Sequence, residues 1–181
     1  MRSLMIALLV AVIAGCSTVS VTADYDPEED FSVYRTYTWI PRNPEATGNP
    51  RLDTPMYHGR VREAVDRVLA QKGFRKVGED PDFWITFHQS VEQKLDVRTM
   101  NSGYHSGYYG GRGWTMSVPE TRVTEYEQGT FVIDIADARE KELVWRGIAR
   151  GRVSKTPPAP AEQREQFFQV AGEILAEFPP R

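Results

Sequence analysis

A single cysteine, Cys16, is all that the 181-residue chain contains. No internal disulfide can form, so stability has to come from a packed core. Histidine is nearly as scarce: His58, His88 and His105 lie far apart, and none has a second His or a Cys four positions away. A zinc site wants three or four N, S or O ligands at fixed geometry, so no metal ligand is assigned and no cofactor is implied. There is no Gly-x-Ser-x-Gly elbow for a serine nucleophile. No Gly-Lys-Ser/Thr follows the glycine-rich stretch at 103–113, so it is not a phosphate loop. Basic charge is short as well, with a formal net charge of −3. Arg146, Arg150 and Arg152 alternate with small and apolar residues, as on the outer face of a strand, and a nucleic-acid partner is excluded for want of a basic face. There is no internal repeat, and no residue is assigned as catalytic.

What the chain does have begins at its start. Arg2 precedes an unbroken apolar run from Leu4 to Ala14. That run is too short to span a hydrocarbon core of roughly 30 Å, which needs about 20 apolar residues, and it ends in small residues as a cleavage site does. Ile13–Ala14–Gly15–Cys16 resembles the bacterial lipobox. There the cysteine thiol receives a diacylglyceryl group, the preceding peptide is removed and the new amine is acylated. The expectation is a signal peptide over residues 1–15, lipidation of Cys16 and a single domain over 16–181. Ordinary secretion with cleavage after Val21–Thr22–Ala23 is the rival reading. Two or more acyl chains anchor a protein stably. An Asp after the lipidated cysteine commonly retains such proteins in the inner membrane; Ser17 stands there. The expected address is therefore the cell envelope, on an outer membrane and facing the periplasm. Removal of the leader takes Arg2 with it and leaves a net charge of −4.

Behind the leader, residues 18–25 alternate polar and apolar side chains, which predicts a strand close to the lipid. Residues 34–39 read as a second strand and 41–53 as a loop. Asp53 or Thr54 caps a helix with Pro55 in its first turn. Val61, Ala64, Val65, Val68 and Leu69 form its apolar stripe, and Gly73 stops it. A strand over 82–91 places Phe83, Ile85 and Phe87 on one face and Trp84, Thr86 and His88 on the other. Strands over 122–126 and 129–136, joined by Glu127–Gln128, and a third over 143–153 predict an antiparallel meander. A closing helix aligns Phe167, Val170, Ala171, Ile174, Leu175 and Phe178 before Pro179–Pro180. The order predicts an α+β domain: a mainly antiparallel sheet with two helices packed on one face.

The segments 31–39 (FSVYRTYTW), Pro81–Asp82–Phe83, 129–137 (GTFVIDIAD), 143–147 (LVWRG) and Phe178–Pro179–Pro180, in that order behind a lipobox, resemble the DUF4136 family of bacterial lipoproteins. The resemblance covers nearly all of the mature chain. It implies the envelope address and supplies no activity and no catalytic residues.

Two readings of function follow. The first is a lipid-anchored binding or structural module that meets the membrane through its anchor and touches other envelope proteins or glycans. Its interaction loop is the aromatic, glycine-rich stretch with Tyr104, His105, Tyr108, Tyr109, Arg112 and Trp114. The second is a periplasmic hydrolase or small-ligand-binding protein that uses an acid/His pocket of Asp134, Asp137 and His88, and it requires those groups to converge. For the two acids the plainer account is structural, because a carboxylate at a strand end accepts backbone hydrogen bonds in the turn that follows.

Overall fold

The computed structural model describes residues 19–41, 46–103, 117–154 and 156–180. The chain forms β1 (Ser20–Tyr25), β2 (Thr36–Trp39), α1 (Pro55–Gln71), β3 (Arg75–Lys76), β4 (Phe83–Gly103), β5 (Ser117–Asp137), β6 (Leu143–Arg152) and α2 (Pro160–Ile174). The six strands make one sheet in the order β1-β6-β5-β4-β2-β3.

The sheet corrects the expected mainly antiparallel arrangement. It is mixed: β2 runs parallel to both β3 and β4, while the pairs β1/β6, β6/β5 and β5/β4 are antiparallel. The cause is α1. A helix laid across the sheet carries the chain back to the end at which β2 began, so the strands after it run alongside β2 in the same direction.

β5 also differs from expectation, because it is one strand of 21 residues. Glu127 and Gln128 are ladder positions opposite Gln93 and Glu92. Neither is a residue type that supplies the positive φ of a tight hairpin turn. β4 likewise continues past Val91 to Gly103. Its pairing with β5 runs from Phe83↔Asp137 to Gly103↔Ser117, whereas β6 leaves β5 at Gln128↔Arg152. Residues 93–103 and 117–127 therefore project as a two-stranded arm about 35 Å long.

Thr54 caps α1, its Oγ1 accepting from Tyr57 N–H at 3.1 Å, and Gly73 with φ of 91° ends it. All five stripe residues of α1 are buried. Asp53 holds the preceding loop instead, accepting from the Thr47 N–H and hydroxyl and from the Gly48 N–H. The helices meet each other and cover the sheet face that bears Phe83, Ile85, Phe87, Ile133, Ile135 and Trp145. Phe178, fully buried after α2, lies 5.3–6.1 Å between ring centroids from Trp145, Phe74, Phe83 and Phe31. Among the described residues no helix is long and apolar enough to cross a membrane.

Candidate functional site

Three places combine concavity or buried polar groups with chemistry, and the residues themselves separate them. The first is on the sheet face away from the helices. Asp134 stands between the core residues Ile133 and Ile135, so alternation turns it outward, yet it is only 6% exposed. Arg146, its cross-strand partner, covers it with a two-pronged ion pair, Nε to Oδ1 at 2.6 Å and Nη2 to Oδ2 at 2.7 Å. His88 Nε2 lies 3.5 Å from Oδ2. Both carboxylate oxygens are thus committed to a guanidinium, and Asp134 has no oxygen free of it to act as a general base.

The second place is a cleft of about 160 Å³ lined by Glu29, Tyr34, Asp82, Asp137 and Arg139. Asp137 is buried, and its Oδ1 accepts from the N–H groups of Arg139 and Glu140 at 2.7 and 2.8 Å. The Tyr34 hydroxyl reaches Asp137 Oδ2 at 3.1 Å and Glu29 Oε1 at 2.8 Å. Burial first, then the two carboxylates that share its one proton, Glu29 and Asp137, push the Tyr34 phenol far above its ordinary value. Asp82 Oδ2 accepts from Arg35 N–H, Thr36 N–H and the Thr36 hydroxyl at 2.8, 2.8 and 2.9 Å. Burial pushes the Asp82 carboxyl up, and these three bonds outweigh it and hold it below its ordinary value. These groups latch β2 to β4 and close the β5–β6 turn.

The acid/His constellation is therefore divided. The structure brings His88 to Asp134, and it places Asp137 at the end of β5 against Tyr34 and the backbone of the next turn. Tyr104, His105, Tyr108, Tyr109, Arg112 and Trp114 lie outside the described residues. Among the described residues no three His, Cys, Asp or Glu side chains gather to hold a metal ion.

The third place was not anticipated from the sequence. Between the two helices and the sheet lies a cavity of about 250 Å³. Its walls are Val61 and Val65 of α1, Phe167 and Val170 of α2, and Phe131 of β5. Tyr57 and Phe167 meet edge to face at 4.9 Å and join the two helices above it. Burial raises the Tyr57 phenol to about 12. The floor is low because Gly129 and Gly151 face each other across β5 and β6. A Cβ on Gly129 would stand 2.9 Å from the Val153 side chain, and one on Gly151 would stand 3.1 Å from that of Val19.

Gln89 gives this cavity its polar point. Its Nε2 donates to the Leu52 carbonyl at 3.3 Å and lies 3.5 Å from His58 Nε2. Its Oε1 is buried with no hydrogen-bond partner among the described residues. A buried acceptor left unpaired is costly, and a ligand that donates one hydrogen bond would satisfy it. The signal in the sequence was a glycine inside each of two strands, which marks a close approach or a missing side chain. That signal becomes readable only once the register sets Gly129 opposite Gly151.

Residues 21–180 match the family model "Domain of unknown function (DUF4136)". A solved PDZ domain protein from Parabacteroides distasonis ATCC 8503 is similar over 91% of this chain and 37% of its own, with 13% identity and a TM-score of 0.55. The chain thus spans little more than a third of that protein. A DUF4136 family protein from Bacteroides thetaiotaomicron VPI-5482 is similar over 90% of this chain and 97% of its own, with 15% identity and a TM-score of 0.51. At these identities the likeness is one of fold. No curated protein matches the chain.

Proposed function

Because the chain belongs to the DUF4136 family, a domain of unknown function, its role has to be argued from its own geometry, and we propose that it is a lipid-anchored envelope module that binds, in the cavity between helices and sheet, an acyl chain whose amide N–H or hydroxyl donates a hydrogen bond. The observation that carries this reading is the cavity itself, apolar on its walls, with one buried acceptor at Gln89. Its volume lies below the roughly 300–1,000 Å³ of sites for drug-sized ligands, so it suits a slender apolar group better than a nucleotide or an oligosaccharide.

Its position supports the same ligand. Val19 lines the cavity and follows Cys16 by three residues. At no more than about 3.6 Å per residue, a lipid on Cys16 begins within about 11 Å of Val19. The domain then lies against the outer membrane with the cavity near the bilayer, facing the periplasm. No catalytic step is part of the proposal, since the acids that could serve one are held by Arg146 or by backbone N–H groups.

The test uses the mature chain, residues 16–181, with Cys16→Ser; its hydrophobic core lies between Phe31 and Phe178. Titration with a fluorescent long-chain alcohol such as parinaryl alcohol should show saturable binding. Val170→Phe, which fills the cavity from the partly buried side of α2, should weaken it at least tenfold with an unchanged melting curve. Gln89→Leu should weaken the alcohol by about fivefold, equivalent to about 1 kcal/mol for one hydrogen bond, and leave an alkane of equal length unaffected. Absence of saturable binding overturns the ligand assignment. Intact mass of the wild-type protein tests the anchor separately: an acylated Cys16 supports it, and a free thiol or a start at Asp24 overturns it.

A further inference from the structure

Among the described residues no helix or second sheet covers the arm formed by β4 and β5, and a two-stranded ribbon is marginally stable alone in water. It also carries apolar side chains in the open: Leu95 is 63%, Val97 59% and Val123 57% exposed. These share one face, since Val97 stands opposite Val123 and Leu95 is two residues away.

The two edges of the arm are not alike. Val153 N–H donates to the Glu127 carbonyl, so odd-numbered residues of β5 turn their backbone groups outward. Pro119 is one of them, and it has no N–H to offer, which blunts that edge. On β4 the Ile85 carbonyl accepts from Ile40 N–H toward β2, so odd-numbered residues point outward there too. The ladder with β2 ends at Ile85. Among the described residues no strand pairs with this side from Phe87 to Gly103, and no proline interrupts it.

That free edge is self-complementary. Its charges run Glu92, Lys94, Asp96, Arg98 on one face. If two copies pair antiparallel about a two-fold axis at Leu95, Glu92 meets the second copy's Arg98 and Lys94 meets its Asp96, twice each. The centre of the unpaired stretch from Phe87 to Gly103 is also Leu95. Leu95 is an odd residue, so its outward N–H and C=O form the reciprocal bonds that such a centre requires. Moving the axis to Lys94 or Asp96 sets like charges opposite each other, which is destabilising. Moving it to Gln93 or Val97 keeps only half of the opposed pairs.

We propose that a second copy of this chain pairs with the β4 edge, antiparallel and centred on Leu95, joining two arms into a four-stranded sheet. The ion pairs seen within one chain, Glu92 with Lys94 at 2.7 Å and the half-buried Asp96 with Arg98 at 3.2 Å and Arg152 at 3.1 Å, lie at the surface and can exchange with those across the axis. This goes beyond the acyl-binding reading and does not depend on it.

Sedimentation of the mature Cys16→Ser chain at increasing concentration should show a monomer–dimer equilibrium. Glu92→Arg alone and Arg98→Glu alone each set like charges across the axis and should weaken the dimer at least tenfold. The double variant restores attraction between chains while leaving both within-chain neighbours repelled, so it should recover the parent affinity. In the same background Leu95→Cys should form a disulfide-linked dimer under mild oxidation. Val97→Cys should not, because its own copy lies about 13 Å along the partner strand. A monomer at all concentrations up to about 100 µM overturns the proposal. So does a dimer indifferent to the charge variants, or equal crosslinking of both cysteine variants.

Discussion

The two ends of the helix-covered face are built from the same strands and the same helices, and one is full while the other is hollow. At the full end Phe178 is surrounded by Phe31, Phe74, Phe83 and Trp145. At the hollow end the floor is Gly129, Ala149 and Gly151. Strand β6 shows the change within a few residues. Gly147 and Gly151 share a face, yet a Cβ on Gly147 would stand 2.3 Å from Trp145 Cη2 and 2.5 Å from Ile174 Cγ2, whereas one on Gly151 meets only Val19, at 3.1 Å. The same residue type makes room for an indole at one end and only for valine side chains, Val153 beside Gly129 and Val19 beside Gly151, at the other. A fold that can fill one end with rings has no packing reason to spare the other, which is why the cavity reads as a site.

The largest effect should come from emptying the full end. Phe178→Ala removes a fully buried ring from the aromatic cluster and should cost about 3–5 kcal/mol, read as a lower denaturation midpoint in urea at unchanged slope. Gly147→Ala attacks the same end by overfilling it and should cost about 1–3 kcal/mol or somewhat more, because the indole and the Ile174 methyl would both have to move. A variant as stable as the parent would mean that Trp145 is loosely held, and the contrast between the ends would fail.

The full end is also pinned by polar contacts, and Asp82 tests that pin. Asp82→Ala strips an acceptor from two backbone N–H groups and a hydroxyl and should cost about 1–3 kcal/mol. The pH dependence has a definite sign. The folded carboxyl sits below its ordinary value of 3.8, so its contribution is complete above that value and is lost as pH falls through the depressed folded one. The difference in melting temperature between parent and Asp82→Ala should be constant near neutrality and narrow below about pH 4. A gap that persists undiminished in acid would assign the effect to packing rather than to the ionised carboxylate.

The apolar faces were legible in the sequence, those of Val61, Val65, Phe167 and Val170 at the hollow end included, and the hollow between them was not. The stripe Val61–Leu69, the alternation through Phe83, Ile85 and Phe87, and the run from Phe167 to Phe178 each carry their period in one continuous segment, and the buried residues follow them. Most of the family residues meet at the full end, where Asp82 and Thr36, Tyr34 and Asp137, Trp145 and Phe178 contact one another, while Gly129 and Phe131 of the 129–137 segment line the hollow one. They therefore identify the scaffold. Strand direction was harder, since the parallel course of β2 depends on where α1 deposits the chain and not on any residue within β2. The cavity depends on Gly129 meeting Gly151 and on Val19, Tyr57 and Phe167 arriving from three other elements. No local pattern records such a meeting. The free β4 edge hides for a related reason, because a strand's neighbours are set by where β2 and β6 stop.

The smallest effect is the one that separates the ends most cleanly. Gly151→Ala adds the same methyl as Gly147→Ala, on the same strand and the same face, so differences in the unfolded chain largely cancel between the two. At 3.1 Å from Val19 the new Cβ is tight, but Val19 lies just ahead of β1 and has only to shift by a few tenths of an ångström. The reduced freedom of the unfolded chain favours alanine by about 0.4–1 kcal/mol and offsets that shift. The net change should stay within about 0.5 kcal/mol of zero, or about 1–2 °C in melting temperature for a domain of this size. A loss as large as that of Gly147→Ala would show that the floor near Gly151 is as closely packed as the ground beneath Trp145, and the hollow end would then have no room for an acyl chain.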